Sequence, residues 1–178
     1  MDNIWKYTYK NHDKNKNVLL DVINNCPFEN INTYEDSISK SDYYLKDVKR
    51  PYLNILLNDL KDFQQVVLDH YCCSNIDIIG AWFQQYNSSD VHNWHIHASC
   101  NISVVYFLEL SNNDSTEFFD LSTRKSFQVE NVNEGDLLIF PGFIPHRTPQ
   151  NKFLDRRTII AFNLNFGCVN ANLLPGGS

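Results

Sequence analysis

Four of the six histidines lie in two short segments, and their spacing is suited to a metal site. His92, His95 and His97 lie in DVHNWHIH, and His146 follows much later in FPGFIPHRT. Residues two apart on a β-strand project to the same face, so we expect the imidazoles of His95 and His97 to point together. A third histidine from a distant strand would complete a facial site with open positions, as in non-haem Fe(II) centres. The pattern therefore predicts metal binding by His95, His97 and His146; the alternative is a chance H-x-H on an exposed strand.

A basic residue begins the last apolar segment, RTIIAFNLNF. On a strand Arg157 shares one face with Ile159, Ala161 and Asn163, which places two polar side chains among small apolar ones. Inside a barrel, the guanidinium of Arg157 could bind a carboxylate through two hydrogen bonds, and Asn163 could line the same pocket. The alternative is a solvated charge at the strand end, which the adjacent Arg156 makes plausible.

Composition limits the classes of protein that remain. The chain has 178 residues, 43% of them hydrophobic, which suits a single domain with a substantial core. Its formal charge of −6 argues against general nucleic-acid binding. No segment approaches the roughly 20 apolar residues of a membrane span, and the first residues contain no signal-like apolar region. Five cysteines without a C-x-x-C indicate neither a disulfide framework nor a cysteine zinc site. We therefore expect a reduced, cytoplasmic protein.

The elements that must position these residues change character along the chain. Residues 51–71 carry apolar side chains at steps of three and four, which predicts a helix beginning at Pro51 and lying against a sheet. From Ile76 onward, short runs rich in Ile, Val, Phe and Tyr alternate with polar turn segments. We predict one domain over 1–178, with a mainly helical N-terminal part (1–75) and an antiparallel β sandwich or barrel (76–168).

The stretch from Trp82 to Phe166 resembles the 2-oxoglutarate/Fe(II)-dependent oxygenases, in particular their prolyl-hydroxylase-like branch and a group found in phages and bacteria. His95 and His146 match the first and distal metal histidines of that superfamily, and GDLLIFPGFIPH resembles the run before the distal one. Arg157, eleven residues after His146, matches the arginine that binds 2-oxoglutarate. Tyr86, nine residues before His95, matches a tyrosine that contacts this co-substrate.

The resemblance implies a double-stranded β-helix (jelly-roll, cupin-like) core preceded by helices. It implies Fe(II) and 2-oxoglutarate as cofactors, dioxygen as a further reactant, and hydroxylation of a peptidyl or small-molecule C–H bond. The primary substrate and the oligomeric state do not follow from it. Two departures stand out. His97 occupies the position of the usual carboxylate ligand, as in the phage-type group, and Phe107 replaces a second tyrosine that often reaches the co-substrate.

Other assignments remain open from the sequence. Asp90, Glu117 or Asp120 could supply a carboxylate ligand in place of His97, although Asp120 suits a structural role. His92 could contact the ligands or the substrate, or be exposed. A cupin-type three-histidine protein (a dioxygenase or isomerase that does not use 2-oxoglutarate) would have no task for Arg157. A non-catalytic jelly-roll binding module, such as a phage structural part, would have incidental histidines.

Overall fold

The computed structural model describes residues 3–110 and 114–169 of the chain. The elements follow in the order β1 (Trp5–Thr8), α1 (His12–Asn24), β2 (Glu29–Asn32), β3 (Ser37–Ser41), α2 (Pro51–Asp59), α3 (Lys61–His70), β4 (Ile76–Tyr86), β5 (His92–His95), β6 (Ile102–Glu109), β7 (Glu117–Asp120), β8 (Lys125–Gln128), β9 (Asp136–Pro141), β10 (His146–Thr148) and β11 (Arg157–Phe166). None of the helices within these ranges is long and apolar enough to cross a bilayer.

The strands form two antiparallel sheets, which confirms the predicted β core. The larger sheet has the order β1-β9-β6-β11-β4-β3-β2, and the smaller one has the order β5-β10-β7-β8. Apart from the β7–β8 hairpin, consecutive strands of the core alternate between the sheets, as in a double-stranded β-helix: β4, β6, β9 and β11 lie in the larger sheet, whereas β5, β7 and β10 lie in the smaller one. Every apolar segment singled out after Ile76 contributes a strand to this core.

The N-terminal region contains the expected helices, with one difference. The segment that we predicted as one helix forms two, α2 and α3, which are separated at Leu60 (φ −94°, ψ 25°). Pro51 begins α2, as predicted. The break leaves the apolar face continuous, because Leu56, Leu60 and Phe63 are all buried in one cluster with residues of the larger sheet. The edge of the Phe63 ring packs against Phe162 of β11, with centroids 6.2 Å apart.

Three short strands in this region were not predicted. β1 pairs with β9 at one edge of the larger sheet, and β3 joins β4 and β2 at the other edge. The sequences of β2 and β3, ENIN and SISKS, contain a single apolar residue each, so the alternation that marks a half-buried strand is absent. These strands are specified by pairing with an existing sheet edge, which is a tertiary effect.

A second core lies between the two sheets. Its buried members come mainly from the inner faces of β4, β6, β9 and β11 and from β7 of the smaller sheet, and include Trp82, Tyr86, Val105, Phe107, Phe118, Leu138, Phe140, Ile159 and Ala161. Phe107 is therefore a core residue, only 1% exposed. Inner-face residues of β4 and β11 extend from this core into a small cavity that is also lined by the predicted metal histidines.

Candidate active site

The three histidines predicted as metal ligands converge at one end of the barrel. β5 and β10 are antiparallel neighbours, and His146 is the direct register partner of His95. The ring centroids of this pair are 4.3 Å apart, and that of His97 lies 5.2 Å from His95 and 5.1 Å from His146. One potential ligand atom from each residue lies within 4.8 Å of the others. Within the described part of the chain, these are the only His, Cys, Asp or Glu side chains so grouped.

His97 reaches the site by a route that the sequence analysis did not predict. β5 ends at His95, so His97 lies in the following turn and not on the same face of one strand. Its backbone N–H donates to the carbonyl of Gly142 at 2.8 Å, and the N–H of Gly142 donates to the carbonyl of Asn101 at 3.0 Å. A Cβ at Gly142 would lie only 2.6 Å from Cys100 Sγ and 2.7 Å from the His97 carbonyl oxygen. Glycine at this position permits the close approach that holds the turn.

Hydrogen bonds orient two of the rings. His95 Nδ1 lies 2.7 Å from the carbonyl oxygen of Asn93, and His146 Nδ1 lies 2.9 Å from that of Ile144. A carbonyl only accepts, so each Nδ1 must carry the proton and donate it. The Nε2 lone pairs of both residues are then available to a metal, which is the usual arrangement of ligating histidines.

Burial keeps the three imidazoles neutral. It is the first cause of a lowered pKa for all three, and the neighbouring His95 contributes further to the shifts of His97 and His146. The pKa of His97 falls to about 4, and that of His146 falls well below its usual value. Neutral imidazole is the form that binds metal, and a set of three nitrogen donors suits Fe(II).

Two further rings pack on the triad. The indole of Trp82 stacks on His97 with centroids 5.6 Å apart and an angle of 12°. His92 stacks on His95 at 4.0 Å and 20°, and burial together with His95 lowers the pKa of His92 to about 3. His92 is therefore part of the site wall, not a simply exposed residue, and it lies outside the group of three.

The three carboxylates considered as alternative ligands are engaged elsewhere. Asp90 is buried and accepts hydrogen bonds from the hydroxyl groups of two β3 serines. Glu117 forms an ion pair with Arg147, with Oε2 2.6 Å from Nε. Asp120 accepts hydrogen bonds within its own turn. None of them belongs to the group of potential ligands around His95.

Arg157 is buried, with 3% of its surface exposed, so its interpretation as a solvated charge is wrong. Nη1 donates to the backbone carbonyl of Asp114 at 2.8 Å, and Nη2 donates to that of Pro149 at 2.9 Å. The guanidinium carbon lies 4.9 Å from the ring centroid of Tyr86, its register partner on β4. Arg156 is the surface residue of the pair and binds Glu109 through two hydrogen bonds.

Besides its two carbonyl acceptors, Arg157 has the Asp114 carboxylate 3.8 Å from Nη1, yet it retains donor capacity that no described residue uses. Its Nε is buried and, among the described residues, has no hydrogen-bond partner; Ser115 Oγ is in the same condition. Buried donors are almost always satisfied in folded proteins, so an orphaned guanidinium N–H indicates a missing acceptor. Tyr86 adds a buried hydroxyl, which donates to Gln84 Oε1 at 2.8 Å. This combination suits an anionic ligand with a carboxylate.

A small cavity lined by both polar and apolar side chains adjoins the triad. Besides the four clustered histidines it is lined by Trp82, Gln84, Ser103, Val105, Thr116, Thr148, Ile159 and Ala161. Ile159 and Ala161 lie between Arg157 and Asn163 on the inner face of β11, as the alternation predicted. Gln84, Ser103, Thr116 and Thr148 were not predicted, because a polar residue gives no signal in the sequence unless it is known which way its side chain points. A wider cavity of about 330 Å³ opens outward from the same histidines.

Comparisons by sequence find no matching protein family and no matching curated protein. Comparisons by structure find many similar folds. A 2OG-Fe(II) oxygenase family protein from Burkholderia pseudomallei superposes with a TM-score of 0.74 at 13% identity, over 92% of this chain and 86% of the other. HygX from Streptomyces hygroscopicus, solved with nickel, 2-oxoglutarate and hygromycin B bound, has a TM-score of 0.69 and 11% sequence identity, over 93% of this chain and 83% of HygX. A prolyl-4-hydroxylase from Pseudomonas putida has a TM-score of 0.65 and 11% sequence identity, over 93% of this chain and 94% of the hydroxylase. The chain therefore has the double-stranded β-helix fold of the 2-oxoglutarate/Fe(II) oxygenases.

Proposed function

We propose that the protein is an Fe(II)/2-oxoglutarate-dependent oxygenase that hydroxylates a C–H bond. His95, His97 and His146 hold the iron, and Arg157 and Tyr86 hold the co-substrate. One observation carries the proposal: a group of three neutral histidines shares the interior of this fold with a buried guanidinium whose Nε has no acceptor among residues 3–110 and 114–169. The shared fold supports the same assignment.

When bound, iron and 2-oxoglutarate supply the chemistry that activates dioxygen and oxidises a C–H bond. The chain positions these groups. Three imidazoles give the metal nitrogen donors without negative charge, so the site is one charge more positive than one with two histidines and a carboxylate. That charge favours a dianionic co-substrate. Arg157 pairs with the distal carboxylate of 2-oxoglutarate. The Tyr86 hydroxyl donates its single proton to Gln84 Oε1 in the structure, and it would redirect that proton to 2-oxoglutarate when the co-substrate binds.

The apolar walls exclude water from the site. Trp82, Ile159 and Ala161 are nearly buried and line the cavity next to the histidines. A dry cavity strengthens the ion pair of Arg157 and limits side reactions of an activated site. The substrate is a peptidyl or small-molecule compound; the similar folds include a prolyl-4-hydroxylase and a protein crystallised with hygromycin B.

Turnover of 2-oxoglutarate tests the proposal. Succinate is measured after incubating Fe(II)-loaded protein with 2-oxoglutarate in air. We expect succinate from the parent protein and from a His70→Ala control, since His70 lies on α3 outside the site. We expect none from His146→Ala. A protein that binds iron but neither binds nor consumes 2-oxoglutarate would instead be of the cupin type.

A further inference from the structure

His97 differs from the other two proposed ligands in what contacts its Nδ1. A backbone carbonyl oxygen contacts Nδ1 of His95 and of His146, which fixes the tautomer of both. Nδ1 of His97 instead faces a side-chain amide, with Asn163 Nδ2 at 3.0 Å. An amide NH₂ only donates, so in this arrangement Nδ1 accepts and the neutral ring carries its proton on Nε2. An Nε2 that bears a proton cannot bind a metal.

We infer that Asn163 is a positioning residue that selects the tautomer of His97. Rotation of its amide by half a turn presents Oδ1 to the ring, and Nδ1–H then donates to it. The proton leaves Nε2, whose lone pair becomes available to the metal. One orientation of Asn163 therefore opposes metal binding by His97, and the other prepares it.

Ser103 makes both orientations possible. It is the register partner of Asn163 on β6, it is 1% exposed, and its Oγ donates to Asn163 Oδ1 at 3.0 Å. A hydroxyl can donate or accept, so after rotation Ser103 Oγ accepts from Asn163 Nδ2 and the hydrogen bond between these two side chains is kept with its direction reversed. The stacked indole of Trp82 opposes a rotation of the His97 ring itself. The amide is therefore the part that adapts.

This role predicts opposite effects for two substitutions of similar size. In Asn163→Asp both oxygens only accept, so Nδ1–H of His97 is favoured and affinity for Zn(II) or Co(II) is retained or raised. In Asn163→Leu the ring loses its partner, and we expect about a 10- to 100-fold loss of metal affinity. Nitrogen-15 NMR of labelled histidines gives a readout without metal: the protonated ring nitrogen of His97 changes from Nε2 in the parent to Nδ1 in Asn163→Asp.

Asn165→Asp is the matched control. It changes the same residue type two positions along β11, where Oδ1 accepts from the backbone of Asn101 and an aspartate can do the same. Metal affinity should not change in this variant. The inference is overturned if Asn163→Asp and Asn163→Leu both keep the parent affinity, or if both lose it equally while their unfolding curves match the parent. It is also overturned if the His97 tautomer is the same in the parent and Asn163→Asp.

The outward cavity supports a second, independent inference, about the substrate. Three of its walls are aromatic: Tyr43 contacts Tyr44 at 4.8 Å and Trp82 at 4.9 Å, with interplanar angles of 80° and 77°. The two tyrosines are largely exposed, whereas Trp82 is 6% exposed and stacks on His97. Perpendicular rings thus line an open approach to the proposed iron site.

The same cavity contains a carboxylate. Asp36 is half-buried in its wall, and its Oδ1 accepts from the backbone N–H of Asn93 at 2.8 Å. Among the described residues that line this cavity, none is lysine or arginine. Aromatic faces and a carboxylate both attract a positive charge, whereas an anion in the metal-free cavity would meet no cationic side chain of this lining. Lys46 and Arg50 line an adjoining cavity instead.

We propose that the substrate presents a protonated amine or another organic cation to Asp36, Tyr43 and Trp82. That the bound cation is then oxidised rests on the proposed function. That it binds does not, because the cavity is present without metal. The probe is a pair of ring compounds of opposite charge, benzylamine and benzoate, titrated into chelator-treated protein. Binding is followed through the indole NMR signal of Trp82.

We expect benzylamine to bind with roughly millimolar affinity and to shift the Trp82 signal, and benzoate not to do so. Asp36→Asn and Tyr43→Ala should each weaken benzylamine about fivefold. Glu35→Gln is the matched control, because the adjacent Glu35 does not line the cavity. Equal binding of the two probes, or an unchanged affinity in Asp36→Asn, overturns the inference. Either result leaves the iron and 2-oxoglutarate proposal to be decided by its own measurements.

Discussion

His146 and His95 are direct register partners on neighbouring antiparallel strands, with ring centroids 4.3 Å apart. Two residues far apart in sequence are therefore placed side by side by backbone pairing, and β10 needs only three residues to do it. Because each ring also donates Nδ1–H to a carbonyl two residues before it, both Nε2 atoms are oriented before any metal binds. This pair is the fixed part of the proposed metal site.

Removal of either member of this pair should abolish tight metal binding. We expect His146→Ala to lose at least about 100-fold in affinity for Co(II) or Fe(II), because two nitrogen donors remain. His92→Ala is the control: His92 stacks on His95 but lies outside the ligand group, so its loss should cost less than about tenfold. Calorimetric titration of chelator-treated protein measures both. Equal losses in the two variants would place His92 among the ligands.

Gly142→Ala should displace His97. The added methyl would lie 2.6 Å from Cys100 Sγ and 2.7 Å from two backbone oxygens, so the turn that contains His97 must move. We expect a loss of about 1–3 kcal/mol in the free energy of unfolding and about tenfold in metal affinity. Gly80→Ala is the matched control, since its methyl would meet only Trp82 Cζ3 at an ordinary 3.9 Å. Unchanged metal affinity in Gly142→Ala would show that this turn does not position the ligand.

Acid should destabilise the chelator-treated protein through the buried histidines. The pKa of His97 is about 4 in the folded protein, whereas histidine in an unfolded chain titrates near 6.5. Between these values the unfolded chain binds more protons, so the free energy of unfolding falls as pH falls through this window. His97 alone should account for a loss of about 1 kcal/mol between pH 7 and 5.5.

Urea unfolding at the two pH values measures this loss, and His97→Gln should show a smaller difference between them because it lacks the group. A difference of the same size in the parent and in His97→Gln would remove His97 as a contributor.

Much of this architecture follows from local patterns in the sequence. The apolar run in RTIIAFNLNF identifies the strand, and the two-residue spacing places Arg157, Ile159 and Ala161 on one face, which in the structure is the inner one. The helix before the sheet is also visible in its periodicity, apart from the break at Leu60. These features are predictable because the spacing of apolar residues along the sequence reflects which side chains a helix or strand buries.

Other features depend on contacts between distant segments. His97 joins the site through the backbone of Gly142, and Asn163 meets His97 because β11 pairs with β6. Asp36 lines the outward cavity from a short polar segment that precedes β3. β3 itself forms only because it pairs with the edge of the larger sheet. The strand face that Asn163 shares with Arg157 assigns it to the pocket, but only the fold shows which group it contacts.

The most direct test of the proposed function is an anaerobic titration of Fe(II)-loaded protein with 2-oxoglutarate, monitored by the metal-to-ligand charge-transfer absorption. We expect a saturable band in the parent protein and in Arg156→Ala, whose guanidinium pairs with Glu109 at the surface. Arg157→Ala should bind iron with the parent affinity and show no band at the same 2-oxoglutarate concentration. A band of undiminished affinity in Arg157→Ala, or iron binding without any band in the parent, would contradict the proposed function.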